Sequence, residues 1–98
     1  MSNFPRVRNT PKLLAVYRLM EKYIEDNDGT PPSIADLVEM GASPSTSVVR
    51  YYKKQMRFLG MIRYKDRISR SLILLPLSEA DEQVIEYLRK EKEHESDN

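Results

Sequence analysis

The chain has 98 residues, of which 40% are hydrophobic and 32% are charged, and this composition fits one small globular domain with a thin core. It contains no cysteine, which excludes disulfides and thiolate metal sites. The N-terminal stretch lacks the apolar run of a signal peptide and nothing approaches a membrane span, so we expect a cytoplasmic protein with no membrane partner.

The net charge of +1 hides an uneven distribution along the chain. Residues 1–77 contain thirteen Lys or Arg against seven Asp or Glu, whereas residues 78–98 contain three against eight. Residues 50–70 alone contain eight cationic residues and a single acidic one, Asp66. A basic body followed by an acidic tail indicates an anionic partner for the body. A solvated surface of mixed charge is the simpler alternative.

The first predicted elements are a basic arm and an amphipathic helix. Residues 1–9 are short, polar and basic, and we expect a flexible arm whose Arg6 and Arg8 either reach a DNA groove or belong to a disordered leader. A helix follows, with Thr10 as its cap and Pro11 at its first helical position. Its apolar face repeats at helical spacing and consists of Leu13, Val16, Tyr17, Met20 and Ile24.

Two further helices are predicted before residue 60. A helix of about two turns begins after Ser33, which forms a capping-box pattern with Asp36, and it ends at Gly41. The third helix is predicted over residues 44–59, with the pair Ser43 and Pro44 as its turn and cap. Its core face comprises Val49, Tyr52, Met56 and Leu59, and its outer face comprises Ser47, Arg50, Tyr51, Lys54 and Arg57.

The last predicted elements are a β-hairpin and a fourth helix. Residues 61–65 and 71–75 have strand character, so the hairpin spans 61–75 and its tip carries Lys65, Arg67 and Arg70. A helix capped by Ser78 follows over 79–93, ahead of an acidic end. Its apolar stripe can pair with a second copy or fold back onto the first helix, and of these two alternatives we expect the homodimer; the stripe comprises Ala80, Val84, Ile85, Tyr87 and Leu88.

The order of three helices, a hairpin and a fourth helix predicts a mainly α fold of the winged helix-turn-helix type with an added C-terminal helix. The domain organisation follows directly from this order. Residues 1–9 form the arm, residues 10–77 form the winged-helix domain, and residues 78–98 form the C-terminal helix and acidic tail, a possible dimerisation element.

Several short motifs in residues 13–75 have a counterpart in a known family. They are the run Gly-x-Pro-Pro-Ser at 29–33, the Ala-Asp-Leu triplet at 35–37, the Ser-Pro pair at 43–44, Gly60 with Ile62, and the strand-like run at 68–75. With the amphipathic first helix, these motifs resemble the N-terminal DNA-binding domain of the LexA repressor family. The resemblance implies a transcription regulator that binds duplex DNA with its third helix in the major groove and its wing on the backbone or minor groove.

The chain also departs from that family. Its second helix is one residue shorter and its third about two residues longer, so the family's base-contacting positions transfer only loosely. Lys53 stands where such helices often carry leucine, and Tyr52 is the candidate to fill that space. The family's C-terminal self-cleaving domain, with its Ser/Lys dyad, is not implied by the residues that match.

The clustered hydroxyls and cations suit contact with DNA. Short hydroxyl side chains at the N-terminal end of a helix can bond bases and phosphates without holding the helix away from the groove. The alternative for the hydroxyls is that one serine caps the helix and the others are small polar surface residues. The alternative for the hairpin is that its cations only prevent aggregation through an exposed strand edge. The predicted DNA-binding residues are Ser43, Ser45, Thr46, Ser47, Arg50, Tyr51, Lys54 and Arg57 on the helix and Lys65, Arg67 and Arg70 on the wing.

No motif in the sequence indicates catalysis, a cofactor, a metal or a small-molecule ligand. The single histidine, His94, lies in a polar tail, and there is no Gly-rich phosphate loop, metal-ligand spacing or nucleophile with its base. We therefore expect a sequence-specific double-stranded DNA-binding regulator, not an enzyme, associated with the nucleoid of a bacterial or phage-type system. A winged-helix module for protein–protein interaction and a plasmid or phage replication factor are the alternative functions.

Overall fold

A computed structural model describes residues 9–96, with side chains through residue 92. The predicted contacts of Arg6 and Arg8 and the side chain of His94 lie outside the described residues. The chain forms helices α1 (Thr10–Asp26), α2 (Ile34–Glu39), α3 (Thr46–Phe58) and α4 (Glu82–Ser96), strands β1 (Ile62–Arg63) and β2 (Ile73–Leu74), and a 3-10 helix (Leu77–Glu79). The prediction of a mainly helical chain with a small antiparallel hairpin is confirmed.

One hydrophobic core joins all the helices and the hairpin. Helix α1 supplies five buried side chains to it, and every other helix except the 3-10 turn supplies at least one. The apolar positions predicted for α1 and α3 are confirmed, with Ile24 and Tyr52 half-buried at the edge of the core. The fully enclosed core comprises Leu13, Val16, Met20, Pro32, Leu37, Ala42, Val49, Met56, Leu59, Met61, Ile62 and Val84.

The start of α1 differs from the prediction by one residue. Thr10 is already helical and buried, and the residue before the helix is Asn9, so Thr10 is not the cap and Pro11 occupies the second position. No side chain caps α1, and the Asn9 side chain donates from Nδ2 to Oε1 of Gln55 at 2.9 Å.

The capping box predicted for α2 is confirmed. The Ser33 hydroxyl accepts from the backbone N–H of Asp36 at 3.1 Å, and the Asp36 carboxylate accepts from the backbone N–H of Ser33 at 2.8 Å. Gly41, with φ of +90°, reverses the chain after the helix so that the N–H of the buried Ala42 bonds the carbonyl of Leu37 at 2.9 Å. These bonds fix both ends of a helix of only six residues.

Helix α3 begins two residues later than predicted. Ser45 is its cap and accepts from the N–H of Val48 at 3.4 Å, so the prediction of Ser43 as the cap is wrong. Pro44 disfavours helical backbone at the residue before it, and the Ser43 hydroxyl is buried and accepts from the N–H of Ser45 at 3.3 Å. The helix ends at Phe58, one residue before the predicted end, and Gly60 follows with φ of +72°.

The hairpin is present, but its strands have two residues each instead of the five predicted. Ile62 pairs with Leu74, and Arg63 pairs with Ile73. Beyond these pairs the Ser71 hydroxyl replaces the ladder, because it accepts from the N–H of Lys65 at 2.8 Å and lies 2.9 Å from the carbonyl oxygen of Ile68. Residues 64–72 therefore form a compact loop, called the β1–β2 loop below.

Helix α4 packs against α1. Its cap is Asp81, whose Oδ1 accepts from the N–H of Gln83 at 3.1 Å, whereas the predicted cap Ser78 lies in the 3-10 helix. Ala80 and Val84 are buried in the common core, so the fold-back alternative describes the packing of the stripe within one chain. The helix extends to Ser96, three residues beyond its predicted end. No helix in the described part of the chain is long and apolar enough to cross a membrane.

Candidate nucleic-acid interface

A cleft of about 600 Å³ lies between the start of α2, the outer face of α3 and the β1–β2 loop. We call it the basic cleft, because cationic side chains from two elements converge on it while Asp66 is the one acidic residue that lines it. Its cationic residues are Arg50, Lys53 and Lys54 from α3 and Lys65, Arg67 and Arg70 from the loop. This concentration of charge attracts anions and weakly repels other cations.

The hydroxyl cluster before and within α3 divides into two groups. Ser43 is buried and the Ser45 hydroxyl serves as the helix cap, so both have structural duties. Thr46 and Ser47 lie in the first turn and are exposed. The structure thus places two of the four predicted hydroxyls at the surface where a ligand can reach them.

The outer face of α3 is exposed as predicted. Arg50 and Lys54 are exposed one turn apart, Tyr51 is 54% exposed beside them, and Arg57 is half-buried in the last turn. The N-terminal turn of α3, which carries Thr46 and Ser47, lies on the same exposed surface. Short polar groups and cations therefore follow one another along a single helix.

Tyr64 joins α3 to the β1–β2 loop through its ring. The Lys53 ammonium lies 4.4 Å and the Arg57 guanidinium 4.2 Å from the ring centroid. Both distances allow cation–π attraction, which fixes the direction of the two cations. Burial lowers the pKa of Lys53, and the nearby charges of Arg50 and Arg57 lower it further. Burial also raises the pKa of Tyr64.

Sequence reasoning missed Lys53 as a member of the site, because position 53 belongs to the core side in the family pattern. Its spacing of three and four residues from Arg50 and Arg57 was the available signal. Tyr64 itself is half-buried against the core.

The β1–β2 loop makes one ion pair with α3. Arg57 Nη1 lies 3.1 Å from Asp66 Oδ1, and the Asp66 side chain is largely exposed. An exposed pair of this kind adds little stability, but it keeps the single acidic side chain of the cleft next to a cation.

Of the three cationic loop residues in the prediction, Arg70 differs from the other two. Lys65 and Arg67 are exposed. Arg70 is also exposed, but its side chain points back to the helices, with Nη1 3.1 Å from Asp36 Oδ2, 2.9 Å from the Pro31 carbonyl oxygen and 3.2 Å from the Tyr23 hydroxyl. Its charge is therefore balanced within the chain.

Gln55 is a second residue that sequence reasoning missed. It is almost fully buried, donates from Nε2 to the Tyr51 hydroxyl at 3.2 Å and accepts from Asn9 Nδ2 at 2.9 Å. The bond to the Tyr51 hydroxyl holds that ring at the exposed edge of α3. Only the glutamine's position between the two faces of the helix hinted at this role.

Among the described side chains, no group of three or more His, Cys, Asp or Glu residues is arranged to hold a metal ion. The basic cleft and the exposed start of α3 together form the candidate functional site. Their chemistry is that of anion contact by cations held at fixed spacing, next to short polar side chains. The chain matches no protein-family model and no curated protein, so its function has to be inferred from these side chains.

Proposed function

We propose that the chain is a winged helix-turn-helix protein that binds double-stranded DNA sequence-specifically and regulates transcription. In this proposal α2 and α3 are the helix-turn-helix pair, and β1, β2 and their loop are the wing. The observation that carries the proposal is the convergence of six cationic side chains from α3 and the loop on one cleft beside the exposed start of α3. Such a protein would act in the cytoplasm, at the nucleoid of a bacterial or phage-type system.

The first turns of α3 would read the major groove. Thr46 and Ser47 are exposed, short and able to donate or accept, and Arg50 follows one turn later with a guanidinium that suits the acceptor pair of guanine. Ser43 and Ser45 would instead hold the turn and the helix cap. This division assigns base readout to three residues and leaves Tyr51 to contact the sugar–phosphate backbone or a thymine methyl.

The cations around the cleft would contact phosphates. Lys54 continues the exposed face of α3, and Lys65 and Arg67 extend from the loop on the other side of the cleft. Phosphate contacts position a protein on the duplex and supply affinity that is independent of sequence. Lys53 and Arg57, stacked on Tyr64, would hold charge between these two groups.

Binding of duplex DNA at two salt concentrations tests the proposal. Phosphate neutralisation releases counterions, so the three phosphate contacts of Lys54, Lys65 and Arg67 predict a loss of affinity of about 40-fold between 50 and 200 mM salt. Selection from random duplexes would then give the preferred site. Failure of every duplex to bind at low salt would remove the DNA-binding function, and binding to an acidic protein would then favour an interaction module.

Two kinds of variant separate base readout from phosphate contact. Arg50→Ala should relax the sequence preference at one position, at a cost of about 1–3 kcal/mol on the preferred site. Lys65→Ala and Arg67→Ala should weaken binding to all duplexes evenly and reduce the salt slope by about one each. A uniform loss in Arg50→Ala, with unchanged preference, would contradict the assignment of Arg50 to base readout.

A further inference from the structure

The backbone of the β1–β2 loop adopts a conformation that its residues do not favour on their own. Arg67 and Arg70 have φ of +65° and +62°, although neither is glycine. In this left-handed region the side chain crowds the following carbonyl group, so interactions elsewhere must hold the loop. The Ser71 hydroxyl contributes by bonding the N–H of Lys65 and lying close to the carbonyls of Lys65 and Ile68.

The other restraint is the Arg70 side chain, which reaches three separate parts of the chain. Its partners are the Tyr23 hydroxyl in α1, the Pro31 carbonyl in the connection and the Asp36 carboxylate in α2. The bonds to Tyr23 and Pro31 span 47 and 39 residues of sequence. One side chain thus ties the loop to the first two helices.

Asp36 links this tie to the start of α2. Its Oδ2 accepts from the N–H of Ser33 at 2.8 Å and lies 3.1 Å from Arg70 Nη1. The Asp36 side chain is 19% exposed and the Arg70 side chain is 42% exposed, so the carboxylate is the better shielded of the two partners. The capping box and the anchoring of the loop therefore share one carboxylate.

We propose that Arg70 is a positioning residue that acts through Asp36 and orients Lys65 and Arg67 for the duplex, and is not itself a phosphate ligand. This inference rests on the proposed DNA-binding function. Because Asp36 balances the charge of Arg70, the electrostatic attraction between Arg70 and a DNA phosphate is weak. The loss of the Arg70–Asp36 pair instead frees the loop that carries the two exposed cations.

Asp36→Asn distinguishes this positioning role from a purely electrostatic one, because the two roles predict opposite changes in DNA affinity. Removing a negative charge beside a polyanion site tightens binding if charge alone matters. If Arg70 positions the loop, the same isosteric change weakens binding and lowers the salt slope by about two, since Lys65 and Arg67 both lose their phosphates. Arg70→Ala should have the same effect, and the double variant should bind no more weakly than either single one.

Ser33→Ala is the matched control. It removes the hydroxyl that caps α2 but leaves the bond from the Ser33 N–H to Asp36 and the Arg70–Asp36 pair in place. We expect its DNA affinity to stay within about twofold of the wild type. A loss in Ser33→Ala equal to that in Asp36→Asn would assign the effect to fraying of α2 and overturn the proposal.

Amide hydrogen exchange in the absence of DNA measures the local stability of the β1–β2 loop directly. The N–H groups of Lys65 and Ile68 bond within the loop, so their exchange should accelerate in Asp36→Asn and Arg70→Ala but not in Ser33→Ala. Unchanged exchange in all variants would overturn the proposal. A wild-type chain that binds no duplex overturns the DNA-binding function itself, whereas wild-type binding that Asp36→Asn leaves unchanged or tightens overturns the positioning role alone.

Discussion

At the scale of single residues, Asp36 is an ionisable group whose pKa the folded structure lowers. Donation from the Ser33 backbone N–H is the main cause that lowers its pKa below the ordinary 3.8, and the hydroxyls of Ser33 and Tyr23 and the charge of Arg70 lower it further. The charged form is therefore the one that the fold selects. This links the protonation of one carboxylate to the stability of α2 and of the loop.

A dependence of stability on pH follows from this shift. Because the pKa of Asp36 is lower in the folded than in the unfolded chain, its contribution to stability is fully present above about pH 3.8 and is lost as the pH falls through the lower folded pKa. Urea unfolding of the wild type should therefore weaken more steeply below about pH 4 than unfolding of Asp36→Asn. Parallel curves for the two chains would show that Asp36 is not the linked group.

At the scale of elements, the start of α3 depends on the order of Ser43, Pro44 and Ser45. Pro44 keeps Ser43 out of the helix, and the cap falls to Ser45. The capping-box motif of α2 is readable from sequence because both partners lie within three residues of each other. For α3, several hydroxyls in a row made the choice of cap ambiguous, and backbone conformation resolved it.

The assignment of the cap can be tested on stability. Ser45→Ala should lower the free energy of unfolding by about 1 kcal/mol, since it leaves the N–H of Val48 without its partner. Ser47→Ala, exposed within the first turn, is the control and should change stability by no more than about 0.5 kcal/mol. Urea denaturation of the three chains measures both values, and equal effects would contradict the assignment of the cap to Ser45.

At the scale of the whole molecule, α4 bears on the predicted homodimer. Ala80 and Val84 of its stripe are buried against the rest of the chain, whereas Ile85 is half-buried and outside the core cluster. A dimer through residues 79–93 would therefore use the side of α4 that carries Ile85. A dimer would also place two copies of α3 for a DNA site with two halves.

Sedimentation of the full chain tests this dimer. A dimer predicts twice the chain mass of 11.5 kDa, and Ile85→Lys should return it to the single mass because a charge would lie in the apolar contact. Glu91→Lys, an exposed change on a different side of α4, is the control and should leave the dimer intact. A wild-type mass of 11.5 kDa at all concentrations would remove the dimer from the proposal.

The sequence by itself determined the features that depend on near neighbours. The apolar repeat of α1, the capping box of α2 and the glycine that ends α3 each involve residues three or four positions apart, so periodicity and turn chemistry predict them. The exposure of Arg50, Tyr51 and Lys54 was predictable for the same reason.

Only the tertiary structure decided which distant residues meet. The turn of Arg70 towards Asp36, the stacking of Lys53 on Tyr64 and the bond from Asn9 to Gln55 join different elements, and their sequence patterns are equally compatible with exposed side chains. The packing of α4 on α1 rather than solely on a second copy is decided in the same way. An apolar stripe records that a face is buried, whereas the partner that buries it depends on how all the helices pack together.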